Sequence, residues 1–135
     1  MDCLFMKFFV ILAFGVLLLG CAAVKNQNVS VSPTAGVYSI EESKAVALAF
    51  VKSDSTFLFD GLSLKEKGYE ALSCNGCYAF FFEFTSRYQG YGNRSGKVIT
   101  PYLTVHGARI EVRNGTVTSA VFDNKWDALT GTEFG

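Results

Sequence analysis

The fold is decided by residues 108–123, which have the sequence ARIEVRNGTVTSAVFD. Apolar and charged side chains alternate up to Arg113, the period of a β-strand with one buried face. Asn114-Gly115 then supplies two residues that readily adopt positive φ, as a type I′ hairpin turn requires. A two-residue turn fixes the register, so inward residues should meet inward residues. The predicted cross-strand pairs are Arg113 with Thr116, Val112 with Val117, and Ala108 with Val121.

Two further strands are predicted upstream of this hairpin. Residues 78–85 (YAFFFEFT) are apolar on one face and carry Phe81 on the other, which is typical of a central strand. Residues 99–105 form the next strand, in which Pro101 indicates an edge or a bulge. The segment between the predicted helix and these strands is predicted to be irregular. Residues 123–129 are predicted to close the chain with a helical turn that carries Trp126.

One helix is predicted before the strands, over residues 40–53. Ser39 and Glu42 have the spacing of a capping box, in which each side chain binds the backbone N–H of the other residue. Ile40, Ala47 and Val51 follow at helical spacing and form an apolar face. An antiparallel sheet needs a cover for one face, and this helix is the only long amphipathic segment available. The predicted fold class is therefore α+β, with one N-terminal helix packed on a roughly four-stranded antiparallel sheet.

This domain loosely resembles the PepSY-like and cystatin-like groups of small exported domains. The opening SIEESKAVALAFVKS (residues 39–53) and the closing hairpin (residues 108–123) carry the resemblance. It implies a fold only, because the inhibitory loop pattern of cystatins is absent and no active residue can be carried over.

The N-terminal segment is predicted to direct export. Phe8–Leu19 is an unbroken apolar run that follows Lys7, too short for a typical membrane-spanning helix but suited to a signal peptide. The four residues Leu18-Leu19-Gly20-Cys21 resemble a lipobox, the motif of prokaryotic lipoproteins. The resemblance implies that Cys21 is acylated and becomes the first mature residue. The alternatives are an uncleaved membrane anchor and an ordinary secretory signal.

The sequence thus predicts three segments: a lipoprotein signal peptide over residues 1–20, a lipidated Cys21 with a flexible tether over residues 21–38, and a small α+β domain over residues 39–135. Half of the residues are hydrophobic, which is too many for a disordered chain. Twelve basic residues balance twelve acidic ones, which argues against a nucleic-acid-binding surface.

Cys74-Asn75-Gly76-Cys77 has three interpretations: a redox dithiol, half of a metal site, or a local disulfide. A redox thiol usually lies at a helix N-terminus, whereas these flanks are strand-like. A structural zinc needs four ligands, and the chain offers too few. We therefore predict a disulfide that pins an Asn-Gly hairpin turn, and we predict neither a metal nor a cofactor.

Acid–base catalysis would favour His106, the only histidine, which we interpret as an incidental surface residue. Glu83 and Glu111 could form a carboxylate pair, but each also fits the polar face of an alternating strand. A hydrolase that uses His106 and Glu111 ranks last, and no catalytic residue is predicted.

Residues 89–96 (QGYGNRSG) are predicted to form a flexible loop. Tyr88, Tyr91 and Arg94 carry large side chains with polar tips, which suit contact with a protein or a glycan. The alternative is an ordinary hairpin connection.

Together these features favour a membrane-anchored, exported, non-catalytic binding or accessory module of the cell envelope. Its expected partners are the membrane, through the lipid on Cys21, and an envelope protein or glycan. The alternative function is an exported thiol-disulfide oxidoreductase that uses Cys74 and Cys77.

Overall fold

The computed structural model describes residues 37–135, so Cys21 and the predicted signal segment lie outside the described residues. Within this described range, two helices precede six strands. Their bounds are α1 Ile40–Ser53, α2 Ser55–Asp60, β1 Gly61–Ala71, β2 Cys77–Tyr88, β3 Pro101–Arg113, β4 Thr116–Phe122, β5 Trp126–Asp127 and β6 Thr132–Glu133.

Helix α1 begins at the predicted capping box. The Ser39 hydroxyl accepts a hydrogen bond from the Glu42 backbone N–H at 3.2 Å, and the Glu42 carboxylate accepts one from the Ser39 N–H at 2.9 Å. The two bonds satisfy donors that a helix start otherwise leaves unpaired. Asp54 ends α1 in an extended conformation and caps α2, because its carboxylate accepts a hydrogen bond from the Thr56 N–H at 2.7 Å.

The six strands form one antiparallel sheet in chain order, β1 to β6. Strand β2 pairs with β1 on one side and β3 on the other, so its central position is confirmed. The helices share a core with one face of the sheet, called here the inner face; the opposite face is the outer face. The buried apolar residues of this core are Ala47, Val51, Phe80, Phe82, Phe84, Ala108, Ile110, Val112, Ala120 and Phe122.

The turn of the β3–β4 hairpin forms as predicted. Further from the turn, the pairing of the two strands differs from the prediction. Asn114 and Gly115 both have positive φ, and Val112 faces Val117. A register shift then places Glu111 opposite Ser119, so Thr118 has no partner residue. This bulge moves every later pair by one residue, and Ala108 faces Phe122 instead of Val121.

The predicted count of one helix and about four strands is corrected. Residues 54–77, expected to be irregular, form α2 and β1. The alternation of β1 is hidden because two register shifts interrupt its pairing with β2, near Ser63 and Gly68, which both have positive φ. The two segments predicted at 99–105 and 108–113 are one continuous strand, β3, with Pro101 as its first residue.

The end of the chain is also corrected. The expected helical turn at residues 123–129 is replaced by the two short strands β5 and β6, the first of which contains Trp126. Among residues 37–135, no helix is long and apolar enough to cross a membrane.

Candidate functional site

His106 lies on the inner face of β3, opposite Phe84 of β2. Its side chain is only 1% exposed, so the interpretation as a surface histidine is wrong. The imidazole ring packs against Phe84, with ring centroids 5.1 Å apart, and against Tyr91 at 5.4 Å. His106 is therefore part of the core at the end of the sheet where the loop from β2 returns.

Asp123 connects the polar groups of this region in one hydrogen-bonded cluster. Its Oδ2 lies 2.6 Å from His106 Nδ1 and accepts a hydrogen bond from the Tyr91 hydroxyl at 2.9 Å. Its Oδ1 accepts a hydrogen bond from the Gly107 N–H at 2.7 Å. Asp123 follows β4 with a φ of 53°, a left-handed conformation that Asp tolerates better than most residues. We call His106, Asp123, Tyr91 and the adjacent Trp126 the His–Asp–Tyr cluster.

The cluster shifts the titration of two of its members. Burial raises the pKa of Asp123, but hydrogen bonds from His106, the Gly107 N–H and Tyr91 together hold that pKa below its ordinary value. Burial raises the pKa of the Tyr91 hydroxyl far above its ordinary value, and the bond to the Asp123 carboxylate adds to the shift. Near neutral pH, the pair consists of a carboxylate and a neutral phenol.

Aromatic rings enclose the cluster. Tyr91 stacks on Trp126, with centroids 5.4 Å apart and ring planes only 9° from parallel. His106 Nε2 and Trp126 Nε1 are both buried with no hydrogen-bond partner among residues 37–135. A general base needs to reach the proton that it abstracts. Because the free nitrogen of His106 is enclosed, this arrangement stabilises the fold and offers no open acid–base site.

Arg94 is likewise directed inward and does not present its guanidinium to solvent. It forms a buried ion pair with Asp60 at the end of α2, donates a hydrogen bond to the Gly90 carbonyl at 2.6 Å, and lies 4.6 Å from the Phe59 ring centroid. Asp60 also accepts the Tyr88 N–H at 2.8 Å. Arg94 is only 3% exposed, and its contact with an external partner stays a prediction.

The predicted binding loop is held to the domain at several points. The Tyr91 hydroxyl is committed to Asp123, and Tyr88 is half-buried with its ring 6.3 Å from that of Phe59. The Gly92 N–H donates a hydrogen bond to the Thr56 hydroxyl at 2.9 Å. These contacts hold the loop of residues 89–96 in place, in contrast to its predicted flexibility. A role of Tyr88 in binding stays a prediction.

Cys74 and Cys77 form a disulfide, with Cα atoms 5.4 Å apart, as predicted. The turn differs from the expected hairpin, because Gly76 has positive φ and Asn75 does not. The last β1–β2 pair is Ala71 with Tyr78, so the bridge closes a loop beyond the strand ladder. Cys74 is exposed and Cys77 is buried. Arg113 Nη1 lies 3.7 Å from Cys74 Sγ.

The outer face of the sheet carries ion pairs in place of the carboxylate pair considered above. Glu83 lies opposite Gly107 and binds Lys67 at 3.4 Å, whereas Glu111 lies opposite Ala79. A hydrogen bond from Arg109 and a weaker one from Arg113 lower the pKa of Glu111. Glu111 and His106 lie on opposite faces of β3, so they do not form a joint site.

An open depression of about 330 Å³ lies on the outer face. Its lining includes Phe81, Gly107 and Val121, with both signs of charge on Lys67, Glu83, Arg109 and Asp123. Within the described part of the chain, no group of three His, Cys, Asp or Glu residues is placed to hold a metal ion.

Sequence reasoning missed one surface feature. Residues 98–105 (VITPYLTV) comprise the three residues before β3 and its first five, and they expose Val98, Tyr102, Leu103 and Val105 to solvent. Strand β4 pairs with β3 only at residues 108–113. Among the strands of residues 37–135, β2 alone therefore pairs with β3 at residues 101–106. The available signal was a run of eight residues without a charge.

No family model, curated protein or solved structure matches the chain. The resemblance to PepSY-like and cystatin-like domains stays a prediction.

Proposed function

We propose that this chain is an exported lipoprotein, anchored through Cys21, whose folded domain is a non-catalytic binding or accessory module of the cell envelope. The exposed apolar start of β3 is the observation that carries the proposal. Leu103 is 67% exposed, and Tyr102 and Val105 are each 61% exposed. Contiguous exposed apolar residues on a small domain mark an interaction surface. The histidine that could serve catalysis is meanwhile enclosed.

The anchor is supported by the sequence pattern that places Cys21 directly after an apolar run. One acyl chain holds a protein only marginally at a membrane, whereas two give stable attachment. A cysteine-linked diacyl group would therefore be sufficient without a spanning helix. The Cys74–Cys77 disulfide is compatible with an exported domain, because disulfides persist mainly in oxidising compartments.

The anchor is tested by Cys21→Ser in the native host, with metabolic labelling by a clickable fatty acid. We expect the variant to lose the label and to accumulate as the unprocessed chain. Cys3→Ser is the matched control, because the proposed processing removes that cysteine, and it should be labelled like the natural protein. Unchanged labelling of Cys21→Ser contradicts the proposal.

A second candidate function is thiol–disulfide exchange, and the contact between Arg113 and Cys74 favours it. An adjacent cation stabilises a thiolate and so lowers the pKa of a cysteine. Cys74 is also the exposed member of the pair, accessible to an attacking thiolate. The contact is long, at 3.7 Å, and the exposed guanidinium also binds Glu111 at 3.4 Å, so we rank this function second.

The reduction potential of the disulfide separates the two functions. A structural bond should lie below about −300 mV, whereas an exchange catalyst should lie near the thioredoxin value of about −270 mV or above it. For a catalyst, Arg113→Gln should lower the potential, because the reduced form loses the cation that stabilises its thiolate. Arg109→Gln is the control, since Arg109 binds Glu70 and Glu111. We expect a potential below −300 mV.

A further inference from the structure

The start of β3 has the composition of a membrane-contacting segment. We call residues 98–105 the entry segment. It contains no charged residue, Val98 is fully exposed, and Tyr102 adds a ring with a polar tip. Tyrosine is enriched where protein meets the boundary between lipid headgroups and acyl chains.

The charged residues in the stretch of sequence that contains the entry segment have one sign. Residues 85–107 include no Asp or Glu. Of the three cations in this stretch, Arg94 is neutralised by Asp60 in the buried ion pair, while Arg87 and Lys97 are exposed. Exposed cations beside exposed apolar residues are complementary to a surface of anionic lipid headgroups.

The chain length between Cys21 and the domain permits this contact. The domain begins at the far end of β3 from the entry segment, because Tyr38 packs against Gly115 in the β3–β4 turn. The 13 residues of β3 separate the two ends by about 40 Å. The residues from Cys21 to Val37 can span at most roughly 55 Å when fully extended. A domain anchored at Cys21 can therefore turn its entry segment toward the same bilayer.

We propose that the entry segment docks the domain on the anionic surface of the membrane that holds the Cys21 lipid. This inference rests on the proposed function and specifies the partner of its exposed surface. Val98, Tyr102 and Leu103 enter the headgroup boundary, and Arg87 and Lys97 face lipid phosphates. The contact is shallow, because the unpaired backbone edge of β3 needs water or headgroups to satisfy its hydrogen bonds.

The charges favour a lipid surface over a second copy of the chain. A second copy that paired along the same β3 edge would offer Arg87 and Lys97 no carboxylate from the matching stretch, because residues 85–107 contain no Asp or Glu. Such a pairing would add no attraction between opposite charges. An anionic bilayer offers Arg87 and Lys97 favourable contacts with lipid phosphates.

Docking is tested with the complete lipidated protein reconstituted in vesicles of phosphatidylcholine with phosphatidylglycerol. A fluorescent probe is attached through Val98→Cys, and brominated lipids serve as quenchers that act only within the bilayer. We expect strong quenching at position 98. Thr116→Cys is the matched control, since Thr116 is exposed at the opposite end of β3 and should stay unquenched. Neither substitution disturbs the core, and thermal melting of both variants checks their folding.

The contribution of the two cations to docking is tested with Arg87→Gln and Lys97→Gln, alone and together. Each should lower the ratio of docked to undocked protein by about fivefold, and phosphatidylcholine alone should act like the double variant. Equal quenching at positions 98 and 116, or none at either, overturns the docking. Concentration-dependent shielding of position 98 without quenching identifies self-association and also overturns it.

The two proposals fail in different ways. Intact mass shows whether Cys21 carries lipid, and an unlipidated chain contradicts the proposed anchor. A lipidated protein with an unquenched probe at position 98 overturns the docking alone.

Discussion

Asp123 joins three parts of the chain through its two carboxylate oxygens, so its titration links the His–Asp–Tyr cluster to pH. Its pKa is held below the ordinary value in the folded state. Its contribution to stability is therefore complete above the unfolded pKa of about 4 and is lost as the pH falls through the lower, folded value. Asp123→Asn should cost about 1–3 kcal/mol at neutral pH and flatten the acid limb of the stability curve.

Denaturant melts between pH 2 and 7 measure this effect. Glu41→Gln is the control, because Glu41 is an exposed carboxylate in the first turn of α1. If both variants have the same acid limb as the natural protein, the His–Asp–Tyr cluster does not stabilise the fold through Asp123.

The position of His106 could be predicted from the sequence, whereas its partner could not. His106, Ala108, Ile110 and Val112 follow one another at a spacing of two, which places the histidine on the buried face of the same strand. Asp123 is 17 residues away, and the bulge at Thr118 changes which residues of β4 meet β3. Whether a strand residue such as Thr118 lacks a partner depends on the local backbone path. It produces no periodic pattern in the sequence.

At the level of elements, the two faces of β3 should respond differently to truncation. Val112 is fully buried in the core, whereas the Arg109 side chain is about a third exposed and pairs with Glu70 and Glu111. Val112→Ala should cost roughly 1–3 kcal/mol through the cavity that it leaves. Arg109→Ala should cost less than about 1 kcal/mol, because exposed ion pairs contribute little. Denaturant melts measure the loss in the free energy of unfolding for each variant, with the m-value expected to stay unchanged. Equal losses contradict the assignment of Val112 to the inner face and of Arg109 to the outer face.

Elements with a sustained period were predictable, and interrupted ones were not. Helix α1 is marked by its capping box and apolar spacing, and the β3–β4 turn by Asn114-Gly115. Strand β1 carries no fully buried side chain, and its pairing is interrupted twice, so its alternation fails. β5 and β6 have two residues each and depend on β4 as a template. The sheet type was thus predictable, and its strand number was not.

At the scale of the whole molecule, the disulfide loop connects the start of the domain with the turn of the β3–β4 hairpin. Gly76 accepts a hydrogen bond from the Asn114 N–H at 2.9 Å, and the Tyr38 backbone lies close beside Gly76. The Cys74–Cys77 bridge closes a loop of only four residues, which by chain entropy contributes about 2 kcal/mol. Its loss should therefore loosen this junction and leave the sheet intact.

Hydrogen exchange of Cys74→Ser/Cys77→Ser measures that difference directly. We expect the exchange of the Asn114 amide to accelerate most, because this junction opens locally. The amides of Phe80 and Phe82 exchange through global unfolding, so they should lose no more than the roughly 2 kcal/mol that the bridge contributes. The Tyr88 amide, whose hydrogen bond to Asp60 lies at the other end of β2, should likewise lose no more than this amount. A larger loss of protection throughout β2 would mean that the bridge supports the entire fold, and would contradict a local role for the loop.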